Sequence, residues 1–427
     1  MTAFLFLILL LLAVVFAEVL TRLIKKLNRD LVLLHPFRSH QKRDEELKPF
    51  QNYLNLFANS LMIAMGREDI FYELNEKALK LEKEGKNIIR LNIGEPDYRV
   101  DKSIIKAAIK RLNEGNVKYG SAAGEYYLRE KIACMLNTDT QDIVITPGSK
   151  FAIYSIMKNL LNKGDRIMVF APCWPTYKLI AGDLGIKVCK LEMNEKWDID
   201  TAILNEHMNN IKMIVVINPN NPTSSVLSNK RVREIVEIAT DYNAWVLYDV
   251  AYADLAFQPV KKIVEDNVLL VDSFSKSFSL SGWRVGYVAC NRDICKRLIK
   301  FNQITISCVP EFIQRAVFTG LEHKDKIVKK ARKVYKERAV FAYRYLKRHV
   351  KVCMPCSGFY IFPHIGMDSV KLAFNLLEKG IAIAPGIVFG EKYNEYVRIS
   401  LVRDLEVLKD SMSVMIDTIN KTKSETI

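Results

Sequence analysis

The sequence predicts an α/β protein in which a mostly parallel sheet carries helices on both faces. Three observations predict it. Short, uninterrupted apolar runs alternate with stretches of helical periodicity. Each run ends in a cluster of Pro, Asn, Asp, Ser or Gly, the residues that break regular structure. The chain has 427 residues, 49% of them hydrophobic, enough for two cored lobes. In chain order, Tyr72, Leu74, Ala78, Leu79 and Leu81 give an amphipathic helix from Phe71, stopped by Gly85. Ile88 to Ile93 is a short strand feeding Gly94, Glu95, Pro96 and Asp97. Asp142 to Thr146 is a strand leading through Pro147 and Gly148 into a helix that starts at Ser149 and Lys150. Asp165 to Phe170 is a strand ending at Ala171 and Pro172, and Met213 to Ile217 is one ending at the Asn218 to Pro222 turn. Trp245 to Tyr248 ends at Asp249, and Val268 to Val271 ends at Ser273. Polar residues gathered at the C-terminal ends of parallel strands are where open α/β sheets bind ligands.

One of those ends carries the most specific chemistry. Lys276 is flanked by Ser273 and Ser275 and followed by Gly282 and Arg284. An amine among small hydroxyls, with an arginine eight positions on, suits a phosphorylated aldehyde: the amine forms an imine and the serines and arginine take the phosphate. Lysine is a nucleophile only when neutral, so cationic neighbours or burial must lower its pKa. Pyridoxal 5′-phosphate (PLP) is the cofactor these residues describe. Ser149 and Lys150, at a helix N-terminus, offer backbone amides to the same dianion.

From about residue 60 onward the chain resembles the class I and II aminotransferases of PLP fold type I. The motifs that carry the resemblance are Asn218 to Thr223, Tyr248 to Tyr252 and Lys276 to Arg284, with Gly94 to Asp97, Tyr119, Gly124 and Tyr396 to Arg398 in the same order. The resemblance implies a large domain with the mostly parallel sheet and a smaller α+β domain. It implies that Lys276 carries the cofactor and that Asp249 keeps the pyridine nitrogen protonated. Tyr252 and Asn221 would hydrogen-bond the phenolic oxygen, and Trp174 would stack on the ring. Ser149, Lys150, Ser273, Ser275 and Arg284 would surround the phosphate, and Tyr119 would reach the phosphate of a neighbouring subunit in a homodimer. Arg398 would clamp the substrate α-carboxylate beside the Gly94 backbone, with Lys150, Trp174 and Asn221 also facing substrate. The implied reaction is a ping-pong transfer from an L-amino acid to a 2-oxo acid. Lys150 favours aspartate with 2-oxoglutarate; aromatic- or alanine-type donors and PLP-dependent lyase chemistry stay open, as does a non-catalytic scaffold at a membrane.

The chain departs from the family pattern in places. Val250 and Ala251 stand in the usual Asp-Glu-x-Tyr, Ser224 replaces a glycine, and Tyr98 to Asp101 replace a Thr-Pro segment. The expected lobes are residues 104–312 for the large PLP-binding domain, and 59–103 with 313–427 for the small one.

Residues 3–17 are uninterruptedly apolar, and basic residues follow rather than precede them, at Arg22, Lys25, Lys26 and Arg29. This predicts a membrane anchor over 1–20 and a juxtamembrane linker over 21–58, with the catalytic part in the cytoplasm. A cleaved signal, or a soluble cytoplasmic enzyme with a mis-assigned start, is the alternative. The formal charge is +15, but its basic residues are spread through helix-like segments such as Lys324 to Arg348, mixed with apolar positions, so no nucleic-acid partner is expected. Eight cysteines without a framework predict reduced thiols and no metal site.

Overall fold

The computed structural model describes residues 69–115 and 118–424. The expected anchor and linker lie outside the described residues, and among the described residues no helix is long and apolar enough to cross a membrane. Phe71–Ile427 form one compact unit.

The first strand, β1 (Ile89–Arg90), is shorter than the sequence predicts and pairs in parallel with Ile381–Ala382. Its extension fails because the Asn92 carbonyl is taken by the Arg398 guanidinium instead of a neighbouring strand. The main sheet has seven strands: β2 (Ile143–Thr146), β3 (Arg166–Ala171), β4 (Lys187–Glu192), β5 (Ile211–Ile217), β6 (Trp245–Asp249), β7 (Val268–Ser273) and β8 (Gly286–Ala289). Their order is β2-β8-β7-β6-β5-β3-β4, and β8 alone runs antiparallel to its neighbours. Every residue of β2 and β7 is buried, as continuous apolar strands covered on both faces require.

Two strands of this sheet escape the sequence reading. β4 lies at the sheet edge with Lys187 and Lys190 exposed, so it lacks an apolar run. β8 is four residues long and begins at Gly286, where a Cβ would stand 2.5 Å from the Asp272 carbonyl oxygen. Register does the rest: Ile217 pairs with Asp249, and Asp249 with Val271, so three strand ends meet on one line.

Two cores form. One lies against the sheet and joins Val144, Ile153, Val169, Val215, Leu247 and Leu298. The other joins Leu74, Leu91, Tyr335, Phe359, Ile383 and Leu408, drawn from both ends of the described chain. The expected borders at 103/104 and 312/313 each cut a helix, Lys102–Asn113 and Glu311–Glu322, and these two helices pack against each other.

Candidate active site

A cavity of about 580 Å³ opens where β5, β6 and β7 end. It brings together twelve of the thirteen site residues expected from the sequence: Gly94, Ser149, Lys150, Trp174, Asn221, Asp249, Tyr252, Ser273, Ser275, Lys276, Arg284 and Arg398. Tyr119 stands apart, 88% exposed.

Lys276 sits on a single helical turn, Phe274–Ser277, whose start is capped by the Ser273 side chain accepting from the Ser275 amide. Its Nζ is part-buried and donates to the Gly94 carbonyl at 2.7 Å. Burial pushes its pKa down to about 8; Glu95 opposes this, and Arg398, Arg284 and Lys150 add to it. The amine is thus partly neutral near physiological pH, as its chemistry demands.

Asp249 ends β6 and is 4% exposed. Tyr177 donates to its Oδ2 at 2.6 Å and the Ala251 amide to its Oδ1 at 3.0 Å. Burial pushes its pKa up to about 6, against the lowering by these two donors. Among the described residues no lysine or arginine forms an ion pair with it. It is a buried anion held ready for a cation.

Opposite lies an anion cup. The twelve-residue helix Ser149–Leu160 points its first amides there, after Gly148 at φ +81°. Arg284, itself in the left-handed region, lies against that turn: its guanidinium donates to the Pro147 carbonyl at 3.3 Å and the Ser281 carbonyl at 2.8 Å. A Cβ on Gly148 would meet Arg284 Nη2 at 2.7 Å, so only glycine admits this approach. Ser273 and Ser275 share a hydrogen bond of 2.9 Å beside it.

Arg398 is 3% exposed and donates to Asn221 Oδ1 at 2.9 Å and to the Asn92 carbonyl. That contact leaves Asn221 its Nδ2 as a free-facing donor. The guanidinium lies 4.4 Å from the Tyr360 ring and 5.1 Å from Phe389, and its Nε has no partner. Tyr252 shares a hydrogen bond of 3.0 Å with Tyr360, and burial raises its pKa well above the phenol range. Lys150 Nζ lies 5.3 Å over the Trp174 ring; burial, then Arg284, lowers its pKa.

Sequence reasoning missed Tyr177, Tyr360, Phe71, Tyr72 and Asn75, which also line the cavity. Tyr177 follows Trp174 by one helical turn, a faint signal; Tyr360 has none, since its place depends on antiparallel pairing with Ser400, far along the chain. The residues fit PLP on four counts: a buried carboxylate without a cation, a depressed lysine, a glycine-cleared anion cup, and a tyrosine and an amide with donors to spare. The eight cysteines are free, and among the described residues no group of side chains could hold a metal ion.

Comparisons with known proteins agree with this geometry. The model of the family "Aminotransferase class I and II" matches residues 86–411. The aspartate aminotransferase of Thermococcus kodakarensis is 33% identical over 77% of this chain and 90% of its own. Among solved structures, the aspartate aminotransferase of Thermotoga maritima superposes with a TM-score of 0.78 at 29% identity, covering 82% of this chain and 97% of that one. The aromatic aminotransferase of Pyrococcus horikoshii gives 0.75 at 27% identity, over 79% and 96%.

Proposed function

Because the chain belongs to the class I and II aminotransferases and is a PLP-dependent aminotransferase, we propose that it moves the amino group of aspartate to 2-oxoglutarate. The observation that carries this choice is the pair of cations, Arg398 and Lys150, in the cavity that holds Lys276. Substrates with two carboxylates match two cations, and a guanidinium gripping one carboxylate by two donors fixes the orientation.

When bound, PLP supplies an electron-withdrawing ring joined to the carbon that receives the substrate nitrogen. The chain's own groups do the rest. Asp249, ionised above about pH 6, holds a positive charge opposite it, with Tyr177 and the Ala251 amide fixing its two oxygens. Tyr252 and Asn221 donate to an oxygen anion on the far edge. Lys276 Nζ, neutral above about pH 8, would take the proton leaving the substrate's α-carbon and pass it on to the cofactor, and in the second half-reaction would deliver a proton to the acceptor's α-carbon. Arg398 orients the α-carboxylate, and Lys150 the distal one.

Stopped-flow absorbance of the PLP-loaded protein mixed with aspartate tests the donor. We expect rapid conversion, reversed by 2-oxoglutarate. Lys150→Ala should cut kcat/KM for aspartate by about 10-fold, the worth of one charge-assisted contact made by a part-exposed lysine, and leave alanine unchanged. Equal loss for both donors would refute the assignment of Lys150. A second reading, aromatic donors, is favoured by Phe71, Tyr72, Trp174 and Tyr360 on the cavity wall, and a higher kcat/KM for phenylalanine than for aspartate would select it.

The exposure of Tyr119 supports a homodimer in which each subunit completes its neighbour's site. The apolar run at residues 3–17 supports a membrane anchor, which would leave the protein in the pellet after carbonate extraction.

A further inference from the structure

The helix Lys324–Leu346 buries Ile327, Val328, Ala331, Tyr335, Ala339, Ala342 and Leu346 on one side. The side opposite is exposed, and its charge is nearly all of one sign. Lys326, Lys329, Lys330, Lys333, Lys336 and Arg344 are exposed there, followed by Lys347 and Arg348 just past its end. At about 100° per residue these eight fall within roughly a third of the helix circumference. Glu337 is the one acid inside that arc.

Two other cations of the helix are already matched. Lys324 pairs with Asp254 at 2.8 Å and Arg338 with Asp97 at 2.8 Å. Among the described residues, the eight on the exposed arc take part in no ion pair. A solvated face normally mixes both signs, which keeps it soluble without self-repulsion. Transamination uses none of these residues, so they add to the +15 charge without serving the cavity.

The arc is also shaped. Lys333, Lys336, Arg344 and Arg348, with one acid, Glu337, edge a cleft of about 700 Å³ whose apolar lining is Val340, Leu405 and the half-buried Phe341 and Tyr345, whose rings lie 6.4 Å apart. Cations at the edge of an apolar lining suit an amphiphilic anion: phosphate at the edge, hydrocarbon within. Nucleic acid would ask for aromatic faces presented along the charge track, and here the two rings are half-buried beside each other.

We propose that the exposed face of Lys324–Leu346 docks on an anionic phospholipid bilayer. A basic side chain near such a surface strengthens partitioning about fivefold, and the attraction fades within about a Debye length. The apolar and basic N-terminal sequence would act in the same direction, so the test separates the two.

The full chain, loaded with PLP, is sedimented with vesicles of phosphatidylcholine alone or with phosphatidylserine. Lys333→Glu combined with Lys336→Glu should weaken binding to the anionic vesicles by at least about 25-fold, leave binding to the neutral ones unchanged, and leave transaminase activity in solution intact. Raising salt to about 0.5 M should erase the difference between the two vesicles. Equal binding to both vesicles would overturn the proposal, as would a double variant that still prefers the anionic ones. So would a variant that loses duplex DNA binding while vesicle binding stays whole, which would assign the face to nucleic acid.

Discussion

Asp249 shows what a functional residue costs the protein that carries it. A buried carboxylate with a pKa of about 6 binds its proton more tightly folded than unfolded, where it titrates near 3.8. Stability of the cofactor-free protein therefore falls as pH rises from about 4 to about 6, and the penalty persists above that. At 1.36 kcal/mol per pKa unit it amounts to about 3 kcal/mol. Asp249→Asn should raise the stability of the cofactor-free protein at pH 7 by about 1–3 kcal/mol, an advantage that vanishes near pH 4, while abolishing transamination. Chemical denaturation at the two pH values measures it, and an equal gain at both would exclude charge burial as its origin. Tyr360 works from behind the site. Its hydroxyl holds Tyr252, its ring backs Arg398, and its bulk is why residue 94 must be glycine, where a Cβ would stand 1.6 Å from that hydroxyl. Tyr360→Phe should shift the pH midpoint of the bound cofactor's absorbance and lower kcat/KM about fivefold, the worth of one hydrogen bond. An unmoved midpoint would mean Tyr252 needs no such support. Lys276 and Asp249 were legible in the sequence because each follows or ends a strand inside a polar motif, whereas Arg398, inside the buried strand Val397–Ser400, was singled out only through the family resemblance. Tyr360 was not, because its neighbours are 108 residues away at Tyr252 and farther at Gly94.

Among elements, the sheet was readable wherever both faces are buried, since such strands are runs of apolar residues with sharp polar ends. β4 was hidden by its exposed edge, and β8 by opening on a glycine just after the Lys276 to Arg284 run. The predicted strand over 88–93 shrank because a side chain, Arg398, competed for its backbone. The helix start at Ser149 was legible, whereas the closeness of Arg284 to it was not. That closeness gives Gly148 a measurable role. Gly148→Ala must place an ordinary residue at φ +81° and push its Cβ against Arg284, a strain of about 1–2 kcal/mol. The prediction is a PLP dissociation constant raised at least tenfold, followed by fluorescence quenching, with the fold retained by circular dichroism. Unchanged affinity would show that Arg284 has no part in the phosphate cup.

For the whole molecule, the expected lobe borders fall inside the helices 102–113 and 311–322, which pack on each other, a pairing no local pattern in the sequence encodes. Tyr119 belongs to this scale, since the role proposed for it lies between subunits. Mixing a Tyr119→Phe chain with a Lys276→Ala chain should produce hybrid dimers in which one site lacks both groups and the other keeps both. Activity above that of either parent would be the sign of shared sites; parental activity alone would deny them.

The link between Arg398 and the Asn92 carbonyl spans 306 residues, and Lys276 meets Gly94 across 182. A chain still emerging from the ribosome therefore owns an almost complete sheet but no finished carboxylate clamp. Lys276 and every strand of the sheet precede Arg398 in the chain, so a polypeptide made only that far would carry the buried-turn amine without the guanidinium proposed to grip a substrate.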